Sequence, residues 1–266
     1  MKRILIVAMA LGMAWLLAAS RASAADLPVA TGPAPAYYPV ATVYDWGGGY
    51  IGINGGYAFG QSEWGSDPLN PSGNSSTGNF HVNGGLVGAT MGVSGQWGAW
   101  VFGVEGDFDW QGLSGSSSST FCTSILTSPT PGATAAGLSC KTASNWLGTL
   151  RARAGYAWDR ILVYGTAGGA GANVETALTG LPYQGNPEFG WTVGAGVEVA
   201  LAENWTFKLE YLFVDLGNAS CNHGYSCGYD AAAITGPPAV SAANANDSVK
   251  LNESIVRVGV NLKFGH

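Results

Sequence analysis

The histidines are the first residues to consider for chemistry, because a hydrolase needs a base to activate its nucleophile or water. The sequence has three of them: His81, His223 and His266. His81 follows a serine-rich segment that also contains Glu63, and a histidine, a serine and an acid would suit a lipid hydrolase. His223 lies between two cysteines and His266 is the last residue, and neither has a catalytic pattern around it. The His81 set remains a hypothesis, because its serine and its acid fall in a predicted loop.

Four cysteines offer a different chemistry: Cys122, Cys140, Cys221 and Cys227. Three pairings are available, and the sequence alone does not choose between them. We favour Cys122–Cys140 and Cys221–Cys227, because each pair lies within one loop-like segment and an exported chain can form disulfides. The alternative is a metal site made of Cys221, His223 and Cys227, which lacks a fourth ligand. The sequence therefore predicts disulfides, no metal site and no cofactor.

Charged side chains recur at alternate positions of several otherwise apolar segments. Glu105, Asp107 and Asp109 could form a carboxylate group for acid–base chemistry, but Arg151 and Arg153 in the next segment explain them more simply as ion-pair partners. The whole set is nearly balanced, with the acids Glu105, Asp107, Asp109, Glu198, Glu210 and Glu253 and the bases Arg151, Arg153, Lys208, Arg257 and Lys263. We predict that these side chains form a structural ion-pair network.

The segments that carry these charges alternate between apolar and polar residues. In residues 205–215 the odd positions from 205 to 213 are all aromatic or leucine, whereas the even positions include Lys208 and Glu210. Alternate side chains of a strand point to opposite faces, so each segment has one apolar face and one charged face. Aromatic residues such as Trp100 and Trp110 lie at the ends of the apolar faces, which is typical of the two interfaces of a membrane.

Eight segments of this kind are predicted, at residues 50–59, 85–93, 100–110, 145–156, 161–174, 189–201, 205–215 and 253–264. The facing of the glycine-rich segment 161–174 is ambiguous. Short links at 94–99, 157–160 and 202–204 alternate with long links at 60–79, 111–144, 175–188 and 217–252. The sequence therefore predicts an all-β fold, an eight-stranded antiparallel transmembrane β-barrel with short periplasmic turns and long extracellular loops.

The N-terminal region carries export signals instead of strands. Lys2 and Arg3 precede an apolar run over residues 4–19, and residues 22–24 form a small-residue cleavage site. We expect a signal peptide over 1–24 that is cleaved after Ala24; small residues and the absence of stop-transfer charges disfavour the alternative, a transmembrane anchor. Residues 25–45 are rich in proline and predict an extended periplasmic tether, and 46–266 is the predicted barrel domain.

The charge balance excludes one class of partner. The chain has 11 Lys and Arg against 17 Asp and Glu, a net charge of −6 at pH 7. A nucleic-acid-binding protein would present a basic patch. We therefore expect no nucleic-acid partner.

The two ends of the predicted mature chain resemble a known family. The Ala-Ala-Asp-Leu-Pro run at 24–28 and the glycine- and tyrosine-rich segment 46–57 are similar to the small outer-membrane barrel proteins of alphaproteobacteria, the Brucella- and rhizobium-type surface antigens of porin-family or opacity-like type. The resemblance covers nearly all of the mature chain. It implies an abundant envelope protein with structural, surface-interaction or limited-diffusion roles and no shared catalytic residue.

The C-terminal residues 257–264 resemble the signal that the barrel-assembly machinery reads, with Gly259, Leu262 and Phe264 at its typical positions. The family usually ends at the aromatic residue, whereas Gly265 and His266 follow Phe264 here. The expected partners are this machinery during biogenesis and outer-membrane lipids and lipopolysaccharide afterwards. We expect a monomer, and the sequence identifies no external ligand.

Together these patterns predict a non-enzymatic integral protein of the cell outer membrane, with a structural and surface-interaction role and a largely closed, ion-paired lumen. The closed lumen follows from size, because an eight-stranded barrel is only just wide enough for its own side chains. Two alternatives stay open. One is a porin-like channel for passive diffusion of small solutes, and the other is an outer-membrane lipid hydrolase that uses His81.

Overall fold

The computed structural model describes residues 44–65, 76–119, 122, 139–178, 183–220, 225–226, 229–230 and 248–265. The predicted signal peptide, most of the predicted tether, and Cys221, His223, Cys227 and His266 lie outside this described part. The cleavage after Ala24 and the tether that follows it therefore stay predictions.

Nearly all of the described chain is β-strand. The strands are β1 (Gly48–Gly65), β2 (Phe80–Trp97), β3 (Trp100–Ser117), β4 (Cys140–Trp158), β5 (Ile161–Leu178), β6 (Gln184–Ala200), β7 (Trp205–Ser220), β8 (Tyr225–Ser226), β9 (Tyr229–Asp230) and β10 (Ser248–Phe264). The two-residue strands β8 and β9 pair only with each other. The other eight form a closed antiparallel barrel in the order β1-β10-β7-β6-β5-β4-β3-β2, with β1 pairing β10 to complete the ring. The predicted fold class is confirmed.

Side-chain burial in the barrel is the reverse of that in a water-soluble protein. Large apolar side chains cover the outside, as at Ile53 and Met91, which are 70% and 66% exposed. Charged side chains such as Lys208 and Glu105 are fully buried inside. This arrangement suits a surface that faces hydrocarbon and a lumen that faces its own polar groups. The described residues include no helix that is long and apolar enough to cross a membrane.

The short connections all lie at one end of the barrel. β2 and β3 are joined through Gly98, which has a φ of +62°, and β4 and β5 through Asp159, which has a φ of 51°. This left-handed conformation costs glycine nothing and is one that aspartate tolerates, which explains both turn residues. The pair Gly49 and Phe264 places the start of β1 and the end of β10 at this same end. The long connections therefore leave the opposite end.

The strands extend further toward the long connections than the sequence predicts. β1 continues to Gly65, β3 to Ser117 and β7 to Ser220, while β4 begins at Cys140. The predicted long links 60–79, 111–144, 175–188 and 217–252 are therefore too long. The reason is that many inward positions of the extensions are apolar, such as Trp64, Leu113 and Leu216, so the contrast between an apolar outside and a polar inside ends before the strands do.

The interior of the barrel is built as three successive layers. At the short-turn end is an aromatic layer, which comprises Tyr44, Trp46, Val101, Ala157, Leu162, Tyr164 and Ala200. An ionic layer of paired charges follows. At the long-connection end is an apolar layer of 18 buried residues, among them Trp64, Leu113, Leu147, Leu212 and Leu251. The ambiguous segment 161–174 is now resolved, because Leu162, Tyr164 and Ala170 are buried inside while Ile161 and Val163 are exposed outside.

Candidate functional site

The ionic layer is positioned by strand register. Glu105 of β3 is paired directly with Arg151 of β4, and Glu210 of β7 is paired with Arg257 of β10. Residues directly opposite each other in adjacent strands share a face, so each pair points into the lumen together. Opposite charges therefore meet across each of these two strand junctions.

Arg151 contacts three acids. Its Nη2 donates to Glu105 Oε1 at 2.6 Å and to Asp107 Oδ2 at 2.5 Å, and its Nη1 donates to Glu210 Oε1 at 3.0 Å. Nη1 also donates to Thr166 Oγ1 at 2.9 Å. The charged side chains in these contacts have no solvent exposure.

Arg257 forms a second centre that shares acids with the first. Its Nη1 lies 2.9 Å from Asp109 Oδ2, and its Nη2 lies 2.9 Å from Asp107 Oδ1 and 2.6 Å from Glu210 Oε2. Asp107 and Glu210 thus each bridge both arginines. Shared acids of this kind make the network cooperative, since each of the two arginines is linked to the other through Asp107 and Glu210.

Two further bases extend the network. Lys208 Nζ lies 3.1 Å from Glu105 Oε1. Arg153 pairs with Glu198 and lies 3.6 Å from Glu105 Oε2, and its guanidinium stacks 3.9 Å above the ring centroid of Tyr164. Stacking on the face of an aromatic ring is a favourable position for a buried guanidinium.

These contacts cross the lumen. β3 carries Glu105 and β7 carries Lys208, and three strands separate β3 from β7 in either direction around the ring. At this level, side chains from opposite walls of the lumen are in direct contact.

Inward glycines on one wall make room for the network. A Cβ at Gly88 would collide with Asp109 Oδ1, and one at Gly56 would lie 2.7 Å from the Cβ of Arg257. Neither position has space for a side chain, so the acid and the arginine lie directly over glycine backbone. The sequence signal for this wall is a glycine at every fourth position, at 52, 56 and 60 in β1 and at 84, 88 and 92 in β2.

Lys263 is a predicted network member that the structure places elsewhere. Its Nζ donates to the backbone oxygen of Asp45 and lies 4.7 Å above the ring centroid of Tyr44 and 5.9 Å above that of Trp46. The reason is that the chain before β1 folds into the mouth of the barrel. Tyr44 and Trp46 are 8% and 3% exposed. Tyr44, which the sequence assigns to the tether, thus packs against the barrel, and the extent of the tether stays a prediction.

Residues 44–46 are fixed to the short turns. The Tyr44 N–H donates to Asp159 Oδ1 at 3.1 Å, and the Trp46 N–H donates to Gln96 Oε1 at 2.6 Å. The indole Nε1 of Trp46 donates to the backbone oxygen of Asp159 at 2.9 Å. Burial raises the pKa of Tyr44 to about 12, so its phenol stays neutral. These bonds hold the rings of Tyr44 and Trp46 against the short-turn end of the barrel.

Glu253 is the second predicted member outside the network. It points into the lumen and is 1% exposed, but it forms no ion pair within the described residues. Its inward neighbours on β10 are Leu251 and Ile255, which belong to the apolar layer. The prediction that Glu253 faces inward is correct, but the residue lies beside the apolar layer and not in the ionic layer.

The cysteines of the second long connection form a disulfide. Cys122 and Cys140 are bonded, with 5.6 Å between their Cα atoms, and both are fully buried in the apolar layer. The predicted pairing is present, although Cys140 begins β4 instead of lying in a loop. The predicted Cys221–Cys227 pairing and the alternative metal site with His223 lie outside the described residues.

The structure describes only part of the proposed hydrolase set, because Ser66, Ser72 and Ser75 lie outside the described residues. His81 is exposed on the outer face of β2 and is paired with Gln61 of β1. Ser62, the serine next to Gln61, points inward and shares a 3.0 Å hydrogen bond with Thr142. A serine and a histidine on opposite faces of one sheet cannot act on the same bond. Within the described ranges no three His, Cys, Asp or Glu side chains form a metal-binding group.

The predicted assembly signal lies on the strand that closes the barrel. Gly259 is buried on the inner face of β10, whereas Phe264 lies at the outer rim with its ring against Gly49 of β1. Leu262 is paired with Ile51 of β1 and Trp205 of β7. Recognition of these residues by the assembly machinery remains a prediction.

Comparison with known proteins identifies relatives in the outer membrane of bacteria. Residues 15–264 match the model of the outer membrane protein β-barrel domain. The chain is 36% identical to the 31 kDa outer-membrane immunogenic protein of Brucella melitensis, covering 92% of this chain and 95% of that protein. It is 30% identical to the 22 kDa outer membrane protein of Rhizobium leguminosarum, covering 70% and 75%. Among solved structures, OprG of Pseudomonas aeruginosa is similar at 14% identity with a TM-score of 0.45, covering 84% of this chain and 98% of that one.

Proposed function

Because the chain belongs to the outer membrane protein β-barrel domain family, we propose that it is a structural, surface-exposed protein of the outer membrane whose lumen is closed to solutes. Its relatives locate it in the outer membrane and confirm the predicted resemblance to alphaproteobacterial surface proteins. The closed lumen and the structural role go beyond what these relatives establish.

The observation that carries the proposal is the set of ion pairs between opposite walls. Lys208 reaches Glu105 across the full width of the barrel, and Arg257 reaches Asp107 and Asp109 past two intervening strands. A permeating solute would have to separate charges that are fully buried. Separating one such pair leaves the other charge uncompensated, which costs about 3–5 kcal/mol.

The apolar layer supports the same conclusion. An ion that passed the ionic layer would next meet buried apolar side chains such as Leu113, Leu147 and Leu212. Polar side chains at this level, such as Ser62 and Thr142, are already hydrogen-bonded to each other. Removing the hydration of an ion in such surroundings is strongly unfavourable. At the other mouth, Tyr44 and Trp46 of the aromatic layer are buried. All three layers therefore oppose passive diffusion.

The long connections support a role at the cell surface. Three of them, over residues 66–79, 118–139 and 221–247, leave the end of the barrel opposite to the short turns, which in outer-membrane barrels is the extracellular end. The Brucella relative is described as immunogenic. We expect this chain to present its long connections in the same way, as a monomer surrounded by outer-membrane lipid and lipopolysaccharide.

Conductance in planar lipid bilayers tests the closed lumen. We expect purified, refolded protein to insert without stable conductance steps. Arg257→Ser is the informative variant, because it removes one centre of the ionic layer, and we expect it to show more frequent conductance steps than the unaltered protein. Val258→Ser, the adjacent outward position, is the matched control. Stable steps from the unaltered protein would instead identify a porin-like channel.

An activity assay tests the hydrolase alternative separately. Neither of the two relatives described above is named as an enzyme. We expect no release of fatty acids from lipid A or phospholipid by the folded protein. Hydrolysis that His81→Ala abolishes would overturn the non-enzymatic assignment.

A further inference from the structure

The lipid-facing surface of the barrel contains a groove of about 530 Å³. It crosses the outer face from β3 over β2, β1 and β10 to β7, and the outward side chains that line it are apolar, among them Ile53, Val87, Ala89, Trp110 and Phe207. The apolar outer face of such a barrel meets lipid hydrocarbon, and the groove is continuous with that face. Its position and chemistry therefore favour a hydrocarbon chain as the occupant.

Strand register explains why the groove is deep in the middle. Val87 is paired with Trp110 on one side and with Gly55 on the other. Residues that are paired in this way share a face of the sheet, so the outward position between them and β10 has no side chain. The Trp110 ring stands at one end of the groove, Phe207 of β7 stands at the other, and Gly55 lies between them.

Gly55 differs from the inward glycines of the same strand. A Cβ at Gly56 would lie 2.7 Å from the Cβ of Arg257, whereas a Cβ at Gly55 would lie 3.7 Å from the nearest atom outside its chain neighbours. Packing within the protein therefore requires the first glycine but not the second. The space over Gly55 has a purpose if a molecule outside the protein fills it.

The dimensions of the groove match one leaflet of the bilayer. Strands β3, β2, β1, β10 and β7 follow one another around the ring. Their four spacings of about 4.8 Å make the groove roughly 19 Å long. Transmembrane strands are tilted by about 45°, so a groove at right angles to them covers roughly 14 Å of depth, close to half of a hydrocarbon core about 30 Å thick. One acyl chain of one leaflet has this reach.

The two ends of the groove differ in depth and in their surroundings. Trp110 lies toward the long connections, whereas Phe207 is two residues from Trp205, which begins β7 at the short-turn end. Strands β2 and β3, which form the Trp110 end, contain no Lys or Arg that could bind the phosphates of lipopolysaccharide directly. At the other end the exposed Trp205 ring is typical of an interface, and a headgroup without net charge needs no fixed counter-charge there.

We propose that this groove binds one acyl chain of a zwitterionic phospholipid from the periplasmic leaflet. Its headgroup lies near Trp205, and its chain runs over Gly55 toward Trp110. A chain in the groove contacts the glycine backbone and the faces of both end rings, which a lipid on a flat part of the barrel does not. The phospholipid is therefore a bound component of the folded barrel, distinct from the lipids that exchange around it.

Native mass spectrometry tests the proposal. Protein is refolded from urea into lipid-free detergent micelles and titrated with palmitoyl-oleoyl phosphatidylethanolamine. We expect a first phospholipid to saturate at one per barrel before further lipids bind weakly. Purified lipid A at the same concentration should not displace it.

Two variants and one matched control assign the binding to the groove. Gly55→Leu fills its floor, and we expect the affinity for the first phospholipid to fall at least tenfold. Ala89→Leu narrows the groove from β2, should also weaken binding, and decides the question if Gly55→Leu does not fold. Gly165→Leu is the control and should leave the affinity unchanged, because Gly165 is exposed on the outer face of β5 and a Cβ there would lie 3.8 Å from the nearest atom outside its chain neighbours.

Four results would overturn the proposal. They are lipid uptake without saturation at one per barrel, equal affinities for the groove variants and Gly165→Leu, displacement of the phospholipid by lipid A, and a lipid-free dimer in the same spectra. Displacement by lipid A would assign the groove to lipopolysaccharide, and a lipid-free dimer would assign it to a second copy of the chain. None of these results depends on whether the lumen is closed, so the groove and the proposed function can fail separately.

Discussion

The ionic and apolar layers fill the same lumen in opposite ways. In the ionic layer, Arg151 and Arg257 are held by acids from several strands, and each contact depends on a precise position. In the apolar layer, side chains such as Leu212 and Leu147 pack like the core of a water-soluble protein. The first layer is directional and sensitive to charge, whereas the second depends on volume.

The difference between the two layers shows where along the barrel the membrane determines which side chains face inward. At the level of the ionic layer the outside of the barrel is apolar and faces lipid, so the polar residues lie inside. Toward the long connections the outward positions become polar, as at Gln61, His81 and Lys250, and the apolar residues lie inside. The same strands thus pass from an inverted to an ordinary arrangement of burial along their length.

Charge reversal in the ionic layer should have the largest effect on stability. Arg151→Glu places a new acid against Glu105, Asp107 and Glu210, and we expect the free energy of unfolding to fall by about 3–5 kcal/mol or more. Urea unfolding in lipid vesicles measures it. Arg160→Glu, on an exposed turn, is the matched control and should change little. Equal losses for the two variants would contradict the buried network.

A cavity in the apolar layer should cost somewhat less. Leu212→Ala removes a side chain with no exposure, and we expect a loss of about 3 kcal/mol. Leu209→Ala on the same strand is the control, because Leu209 is 37% exposed on the outer face, where lipid can fill the space. The same unfolding assay compares them. If the two leucines cost equally, the apolar layer is not a packed core.

Removing the disulfide should weaken the apolar layer without touching the ionic one. The Cys122–Cys140 bond closes a sequence separation of 18 residues. Replacing both cysteines by alanine should lower the free energy of unfolding by about 2–3 kcal/mol, chiefly by freeing the unfolded chain. Comparison under reducing conditions is the check, since there the variant and the unaltered protein should differ far less. A persistent difference would assign the effect to packing instead.

The smallest effect is expected at the edge of the ionic layer. Lys263→Met removes a cation from the rings of Tyr44 and Trp46, and we expect a loss of about 1–2 kcal/mol. A double-mutant cycle sharpens the comparison. Lys263→Met should couple to Tyr44→Leu and be additive with Glu210→Gln, because Lys263 lies outside the network. Coupling between Lys263 and Glu210 would instead support the prediction that Lys263 belongs to the ion-pair network.

The sequence predicts the membrane-level part of the barrel well, for a physical reason. There each strand contrasts an apolar outside with a charged inside, and the period of two makes this contrast visible without any partner strand. Facing is therefore correct for Glu105, Arg151 and Lys208, all of which lie inside. The order of the segments along the chain also predicts which strands are neighbours. Glu105 and Arg151 could therefore be predicted as partners.

The rest depends on information that a single strand does not contain. The extensions of β3 and β7 carry Leu113 and Leu216 on their inner faces. The contrast between an apolar outside and a polar inside is reversed there, so the sequence predicts loops. Which charges meet across the barrel depends on how far neighbouring strands are shifted relative to one another. This shift places Glu253 closer to the long connections than the ionic layer. Lys263 is wrongly assigned because its partners, Tyr44 and Asp45, precede the first strand.

Because β1 pairs with β10, the barrel can close in the membrane only when the last strand is present. These strands are hydrogen-bonded from Gly49 and Phe264 to Gly65 and Ser248. A chain that stops before residue 248 would leave two bare strand edges, and hydrocarbon offers no water to satisfy their backbone groups. A prematurely terminated chain would therefore not form a smaller barrel. It would form an open sheet whose edges are unstable in the bilayer. Only a polypeptide translated through its last strand can reside in the lipid.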